Sequence, residues 1–174
     1  MTHEHLYREP LPTEALLFDG NTYDLGWDGS RTTQTPEVPG LPTHDHALYL
    51  INAVKFRCGQ MYHLFDDDDF MAGLHRFYAQ PRPAATTTAS LWYIHFLLIM
   101  GFGKGFTQQK SQGKRRPGAE FFNRAIQLLP DPSGLWHEPV EHAEILCCIS
   151  LYYHTVDCRS TAHNYVRSAR CCSV

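Results

Sequence analysis

The sequence lacks a long uninterrupted hydrophobic run. Its longest apolar stretch lies within residues 91–100, and His95 interrupts even that one. Because a helix needs about 20 apolar residues to cross a bilayer, this stretch predicts a buried helix and no membrane span. The first nine residues also lack the apolar core of a signal peptide, which favours an intracellular protein.

A strong net charge and a regular cysteine pattern are missing as well. The 15 basic and 18 acidic residues leave a formal charge of -3, so no global field attracts phosphate and the composition does not predict DNA binding. No two cysteines have the C-x-x-C spacing of a structural zinc site, and without a signal peptide we expect reduced thiols. The six cysteines are Cys58, Cys147, Cys148, Cys158, Cys171 and Cys172.

Recognisable catalytic motifs are absent from the sequence. It contains no G-x-S-x-G elbow, phosphate-binding loop or dinucleotide fingerprint, and Ala143 after His142 breaks the zinc-protease pattern H-E-x-x-H. A thiol nucleophile at Cys147 or Cys58 stays open as an alternative. His154, however, lies about two helical turns from Cys147, which is too far for a hydrogen bond. We therefore predict no enzyme, no catalytic residue, no metal site and no cofactor.

Three local clusters each admit a functional and a structural interpretation. His44 and His46 are two residues apart, whereas ligands on one helix face are three or four apart, so structural histidines are favoured. Asp66–Asp69 could bind a hard cation, but the run lacks the spacing of a calcium loop and suits a helix N-terminus. The basic segment Lys104–Arg116 could contact phosphate or direct nuclear import, and a solvated loop is the favoured interpretation.

The first 40 residues predict an irregular tail or linker. They contain four prolines and four glycines, and such a segment buries too little apolar area to offset its ordering entropy. One apolar patch, residues 15–27, could dock on the domain or on a partner. From Leu41 the apolar residues recur at helical spacing. We therefore divide the chain into a tail, 1–40, and a folded domain, 41–174.

The folded domain predicts an all-α protein of about six helices, in an orthogonal or hairpin-paired bundle, because sustained two-residue alternation is absent. Thr43 begins the first helix, Asp66–Asp69 the second, Ser90 the third, Pro117 the fourth, Pro139 the fifth and Ser160 the sixth. Gly101, Gly103 and Gly105 predict that the third helix gives way to a polar loop. We expect six aromatic residues in the core or a groove: Phe70, Phe77, Trp92, Phe96, Phe121 and Tyr152.

Several short segments follow one another in a characteristic order. Tyr62–Phe65 leads into the acidic turn, and Gly118–Ala125 precedes Leu128-Leu129. Leu151–Tyr153 is followed by Arg159–Ala162. From Leu41 to about Arg170 the order and spacing resemble the fungal-specific transcription factor domain, the regulatory region downstream of binuclear zinc clusters.

This resemblance implies a nuclear module of transcription regulation. Its expected partners are proteins of the transcription machinery, a homodimer partner or a small-molecule effector. In the family a six-cysteine zinc cluster contacts DNA, and this sequence contains no such cluster, so neither zinc nor direct DNA contact is expected. The missing cluster and the end at Val174 imply a domain truncated at both ends. The alternatives are a standalone helical protein–protein adaptor and a non-functional truncated remnant.

Overall fold

The computed structural model describes residues 39–79, 90–108, 115–130 and 138–172, without the side chains of the last two residues. Within these ranges it contains six α-helices and no β-strand, which confirms the all-α prediction. The helices are α1 (His44–Cys58), α2 (Asp67–Ala79), α3 (Leu91–Thr107), α4 (Ala119–Leu128), α5 (Pro139–Thr155) and α6 (Arg159–Cys172). The predicted tail, its apolar patch and the middle of the basic segment lie outside the described residues.

Helix α3 is the centre of the fold. Every residue from Tyr93 to Gly103 is buried, as expected for a helix that is apolar on nearly every side. Helices α1, α4 and α5 pack directly against it, and α6 packs on α5 across a short connection. Helix α2 contacts α3 through aromatic rings, with Phe77 next to both Trp92 and Phe96. The core therefore surrounds α3, and the site described below lies beside its N-terminal half.

Local chemistry at the helix starts agrees with the prediction in most places. Ser90 Oγ accepts a hydrogen bond from the backbone N–H of Tyr93 at 3.2 Å, and Pro139 is the first residue of α5. Asp66 Oδ1 accepts from two backbone N–H groups of the next turn, each at 3.1 Å. The acidic run thus caps α2. The sixth helix corrects the prediction, because it begins at Arg159 and not after Ser160.

The predicted end of the third helix is wrong. Helix α3 continues through the three glycines to Thr107, and Lys104 on its last turns pairs with Glu120 of α4 at 2.6 Å. The physical reason lies at Gly103, where α1 approaches closely. A Cβ atom there would lie 2.6 Å from the Cβ of Leu50 and 2.9 Å from its carbonyl oxygen. Close packing of two helices outweighs the low helix propensity of glycine.

Five of the six aromatic residues expected in the core or a groove are buried, and Trp92 is half-buried. Tyr152 stacks on Phe122 with ring centroids 3.8 Å apart. Trp92 stacks on Phe96 with ring centroids 5.3 Å apart and is half-buried. Aromatic packing thus joins α4 to α5 and α2 to α3, and it leaves Trp92 at the edge of a cleft.

Candidate functional site

An open cleft of about 530 Å³ lies between the N-terminal ends of α2 and α5. This volume falls in the range of small-molecule sites in proteins. We call it the acidic cleft because five carboxylates line it: Asp66, Asp69, Glu138, Glu141 and Glu144. Its other walls include the rings of Phe65, Phe70, Trp92 and His95.

Helical spacing brings the carboxylates of α5 together. Glu138, Glu141 and Glu144 follow one another at three-residue intervals, so each lies about one turn from the next on neighbouring parts of one face. Asp66 immediately precedes α2, and Asp69 belongs to its first turn. The positive end of each helix dipole favours such side chains, but it acts on each helix separately and does not remove the repulsion across the cleft.

This crowding perturbs two of the glutamates. Partial burial, a hydrogen bond with Glu138 and the negative charges nearby together raise the pKa of Glu141 to about 7, and burial is the largest of these causes. Partial burial also raises the pKa of Glu144, whereas His63, with Nε2 3.4 Å from Oε1, lowers it. The cleft is therefore a region where negative charge is unfavourable and a cation would be favoured.

Aromatic rings form another part of the cleft lining. Phe65 and Phe70 have ring centroids 4.4 Å apart, and Phe70 lies 5.8 Å from Trp92. The indole Nε1 of Trp92 donates to the carbonyl of Phe70 at 3.2 Å, which fixes the orientation of the indole ring. The acidic cleft thus combines negative charge with an ordered aromatic surface.

His95 is buried beneath this surface and also lines the cleft. Its Nε2 lies 2.8 Å from the carbonyl oxygen of Leu64, and because a carbonyl can only accept, Nε2 carries the proton. Burial lowers the pKa of His95 to about 4, against the opposing effect of the Leu64 hydrogen bond. The ring is therefore neutral at pH 7, and Nδ1 is an acceptor.

A buried thiol lies beside the same imidazole. Cys148 Sγ is 3.7 Å from His95 Nε2 and 3.7 Å from the Leu64 carbonyl oxygen. The arrangement is unsuited to nucleophilic chemistry, because burial raises the pKa of the thiol and Nε2 already carries a proton. A thiolate nucleophile needs the opposite conditions. We interpret the pair as a structural contact that holds α3, α5 and the segment before α2 together.

The cysteines proposed as alternative nucleophiles lie elsewhere. Cys147 is exposed, and partial burial together with the charge of Glu144 raises its pKa. Cys58 is buried at the end of α1, and burial raises its pKa too. Neither environment favours the thiolate. His154, the sequence-level partner of Cys147, is exposed near the far end of α5.

The histidine and aspartate clusters have mainly structural contacts. The ring of His44 lies 5.3 Å from that of Tyr78, and His46 stacks on Tyr49. Asp67 pairs with Lys55. In the described parts of the chain, no three His, Cys, Asp or Glu side chains are grouped to hold a metal ion. None of the helices described there combines the length and apolarity needed to cross a bilayer.

A second surface, distinct from the cleft, is apolar and exposed. It consists of Tyr49 and Phe56 on α1 and Met61 and Tyr62 in the following turn, and we call it the α1 apolar surface. Phe56 is 80% exposed and Met61 75%. Tyr49 and Phe56 are seven residues apart, so they lie on one face of the helix about two turns apart. Exposed apolar side chains on one face of a helix can take part in protein contacts.

The sequence indicated the parts of the cleft but not their assembly. In the sequence, His95 is marked only as the polar interruption of an apolar run. No chemical motif marks Glu138, Glu141 or Glu144. The His95–Cys148 contact joins residues 53 positions apart, which no local pattern reveals.

Comparisons with known proteins returned no match among family models, curated proteins or solved structures. The resemblance over residues 41–170 therefore stays a prediction from its motifs.

Proposed function

We propose that the chain is a regulatory module of a fungal transcription factor and that the acidic cleft is its effector site. The motif order from Leu41 to about Arg170 supports the family, and the all-helical fold is consistent with it. The observation that carries the proposal is the cleft itself, because it has the volume of a small-molecule site and its walls come from α2, α3, α5 and the segment before α2.

The position of the cleft suggests how an effector would act. Its carboxylates lie near the starts of α2 and α5, and the charge of Asp69 on α2 acts on Glu141 of α5 across the cleft. A ligand that compensates this charge would draw them together and would stabilise the ligand-bound form by mass action. A change in the relative positions of α2 and α5 is then available to a partner protein as a signal.

The chemistry around the cleft favours binding over catalysis. His95 is a neutral acceptor whose proton is held by a backbone carbonyl, and Cys148 is a buried thiol with a raised pKa. The cleft carboxylates have no activated nucleophile beside them among the described side chains. We accordingly propose a nuclear, non-catalytic module whose partners are proteins of the transcription machinery or a second copy of the chain. DNA contact would require a zinc cluster supplied by another polypeptide segment.

A transcription assay tests this function directly. The full 174-residue chain is fused to a heterologous DNA-binding domain, and reporter output is compared with that of the DNA-binding domain alone at equal protein level. We expect a clear change in output and nuclear accumulation of the unfused chain. Output equal to that of the DNA-binding domain alone, from a folded and nuclear fusion, would overturn the proposal.

Variants of the cleft connect the assay to the site. The double substitution Glu138→Gln and Glu141→Gln removes two cleft charges and should alter the reporter response. The matched control is Asp45→Asn, since Asp45 also lies in the first turn of a helix but its side chain is fully exposed. This control should respond as the parent chain does.

The α1 apolar surface favours a second function, that of a standalone helical protein–protein adaptor. In that case Phe56→Ser and Met61→Ser should abolish capture of a specific partner and leave the folded structure unchanged, since both side chains are largely exposed. An adaptor would show this loss with no effect on reporter output. A chain that changes neither reporter output nor partner capture would match the truncated remnant instead.

A further inference from the structure

We infer that residues 15–27 of this chain dock on the α1 apolar surface and cover it within the same molecule. This segment lies outside the described residues, whereas the surface that it would cover is exposed in the structure. A protein that binds the α1 apolar surface would then have to displace the segment. The inference concerns a different face of the protein from the acidic cleft and does not depend on the proposed function.

The α1 apolar surface presents large side chains to water. Phe56 is 80% exposed, Met61 75% and Tyr49 58%. Met61 and Tyr62 also line a groove of about 640 Å³ between the end of α1 and the start of α2. Contact of apolar side chains with water is unfavourable, so a segment that removes them from water is held there by the hydrophobic effect.

Residues 15–27 have the composition of such a segment. Six of its side chains are large and apolar or aromatic: Leu16, Leu17, Phe18, Tyr23, Leu25 and Trp27. A segment of 13 residues is too short to bury these side chains in a core of its own. They need a surface elsewhere, and the α1 apolar surface offers side chains of the same kind.

The charges around the two parts have opposite signs. The segment contains two aspartates and no lysine or arginine, whereas Lys55 and Arg57 flank Phe56 in the last turn of α1. Lys55 pairs with Asp67, and Arg57 is exposed and has no ion-pair partner among the described side chains. Two aspartates line the groove itself, so we place the carboxylates of the segment beside Arg57 and not in the groove.

The connection to α1 is long enough for this contact. The described chain begins at Pro39, close to the start of α1, and 11 residues join Pro39 to Trp27. Extended chain spans at most about 3.3–3.6 Å per residue, so Trp27 reaches up to roughly 40 Å from Pro39. The length of α1 is only about 22 Å at 1.5 Å per residue. A short tether also gives an effective concentration on the order of millimolar, so a weak contact is sufficient.

An NMR comparison of the ¹⁵N-labelled parent chain with two variants tests the contact. Leu25→Ser with Trp27→Ser, which we call the segment variant, removes two apolar side chains of the segment. It should shift the amide signals of residues 49–62 and leave those of the buried α3 unchanged, which shows that the domain is folded. The matched control, Leu6→Ser with Tyr7→Ser, removes two apolar side chains outside the segment and should leave residues 49–62 unchanged.

A synthetic peptide of residues 15–27 tests whether the parent chain already occupies the surface. It should bind the segment variant with a Kd on the order of 0.1 mM and the parent chain about tenfold more weakly, because the tethered segment competes with it. Adding Phe56→Ser to the segment variant should weaken peptide binding about tenfold. Adding Val166→Ser, at an exposed apolar position of α6, should leave it unchanged.

Four results would overturn the inference. They are equal shifts at residues 49–62 in the segment variant and its control, equal peptide affinity of the segment variant and the parent chain, absence of peptide binding to both, and unchanged affinity after Phe56→Ser. Sedimentation of the parent chain over a range of concentrations examines the other occupant. A dimer whose formation alone shifts the signals of residues 49–62 would assign the surface to a second copy and would also remove the inference.

Discussion

Replacing Gly103 by alanine should destabilise the protein, although alanine is the better helix former. Gly103 lies inside α3 at its contact with α1, where the added methyl carbon would lie 2.6 Å from Leu50 Cβ and 2.9 Å from Leu50 O. Carbon atoms in favourable contact are about 3.5–4.0 Å apart. Neither Leu50 atom can move by rotating a side chain, so the two helices must separate by roughly 1 Å.

The magnitude follows from two opposing effects. Overpacking of a core contact costs about 1–3 kcal/mol, and the rigid neighbours at Gly103 place it in the upper part of that range. The higher helix propensity of alanine returns about 1 kcal/mol. We therefore expect Gly103→Ala to lower the free energy of unfolding by about 1–2 kcal/mol.

Gly105 provides a matched control two residues further along α3. A Cβ atom there would meet Pro117 O at 3.5 Å and Arg116 Nε at 3.7 Å, which are ordinary contact distances. Gly105→Ala should therefore raise the free energy of unfolding by about 0.5–1 kcal/mol. The assay is urea denaturation of both variants and the parent chain, followed by far-ultraviolet circular dichroism. Equal stability of the two variants, or a Gly103→Ala protein more stable than the parent, would refute the packing argument.

Three further predictions concern a helix cap, the thiols and a titrating carboxyl. Ser90→Ala should lower the free energy of unfolding by about 1 kcal/mol in urea denaturation, because Ser90 Oγ caps the N–H of Tyr93; Ser90→Asn, which keeps the cap, is the control. Brief iodoacetamide treatment with peptide mapping should modify exposed Cys147 before buried Cys148, and the reverse order would contradict the structure. The folded-state pKa of Glu141 is raised to about 7, so binding of a proton to this carboxyl favours the folded state. This contribution to the free energy of unfolding is complete below the ordinary pKa of a glutamate and is lost as pH rises through 7. Relative to Glu141→Gln, the parent chain should thus lose about 1 kcal/mol of stability between pH 5 and pH 8, an amount reduced for solvent exposure; parallel pH profiles would refute this.

Much of the fold could be predicted from the sequence because its signals are local. Helix α3 is apolar on nearly every side, and that property alone places it at the centre of a helical domain. Asp66 and Ser90 cap helices through hydrogen bonds to N–H groups two or three residues ahead. Such interactions depend on neighbouring residues only, so the residue pattern predicts them without knowledge of the fold.

The acidic cleft could not be predicted in the same way. Asp69 and Glu141 belong to different helices, and each taken alone is an ordinary acidic residue in a first helical turn. Only the packing of α2 and α5 beside α3 places them around one volume and raises the pKa of Glu141. The contact of His95 with Leu64 and Cys148 likewise depends on three separate segments meeting.

The long apolar run interrupted by His95, the two cap residues and the absence of strand periodicity determined an all-helical protein with a buried third helix. The glycines of that helix are the place where prediction from neighbouring residues fails. Their low helix propensity predicts a loop, yet α3 continues to Thr107 because Gly103 lets α1 pack at a distance that a methyl group would prevent. Tertiary structure decided that boundary and also assembled the cleft, since both depend on distances between residues far apart in the chain.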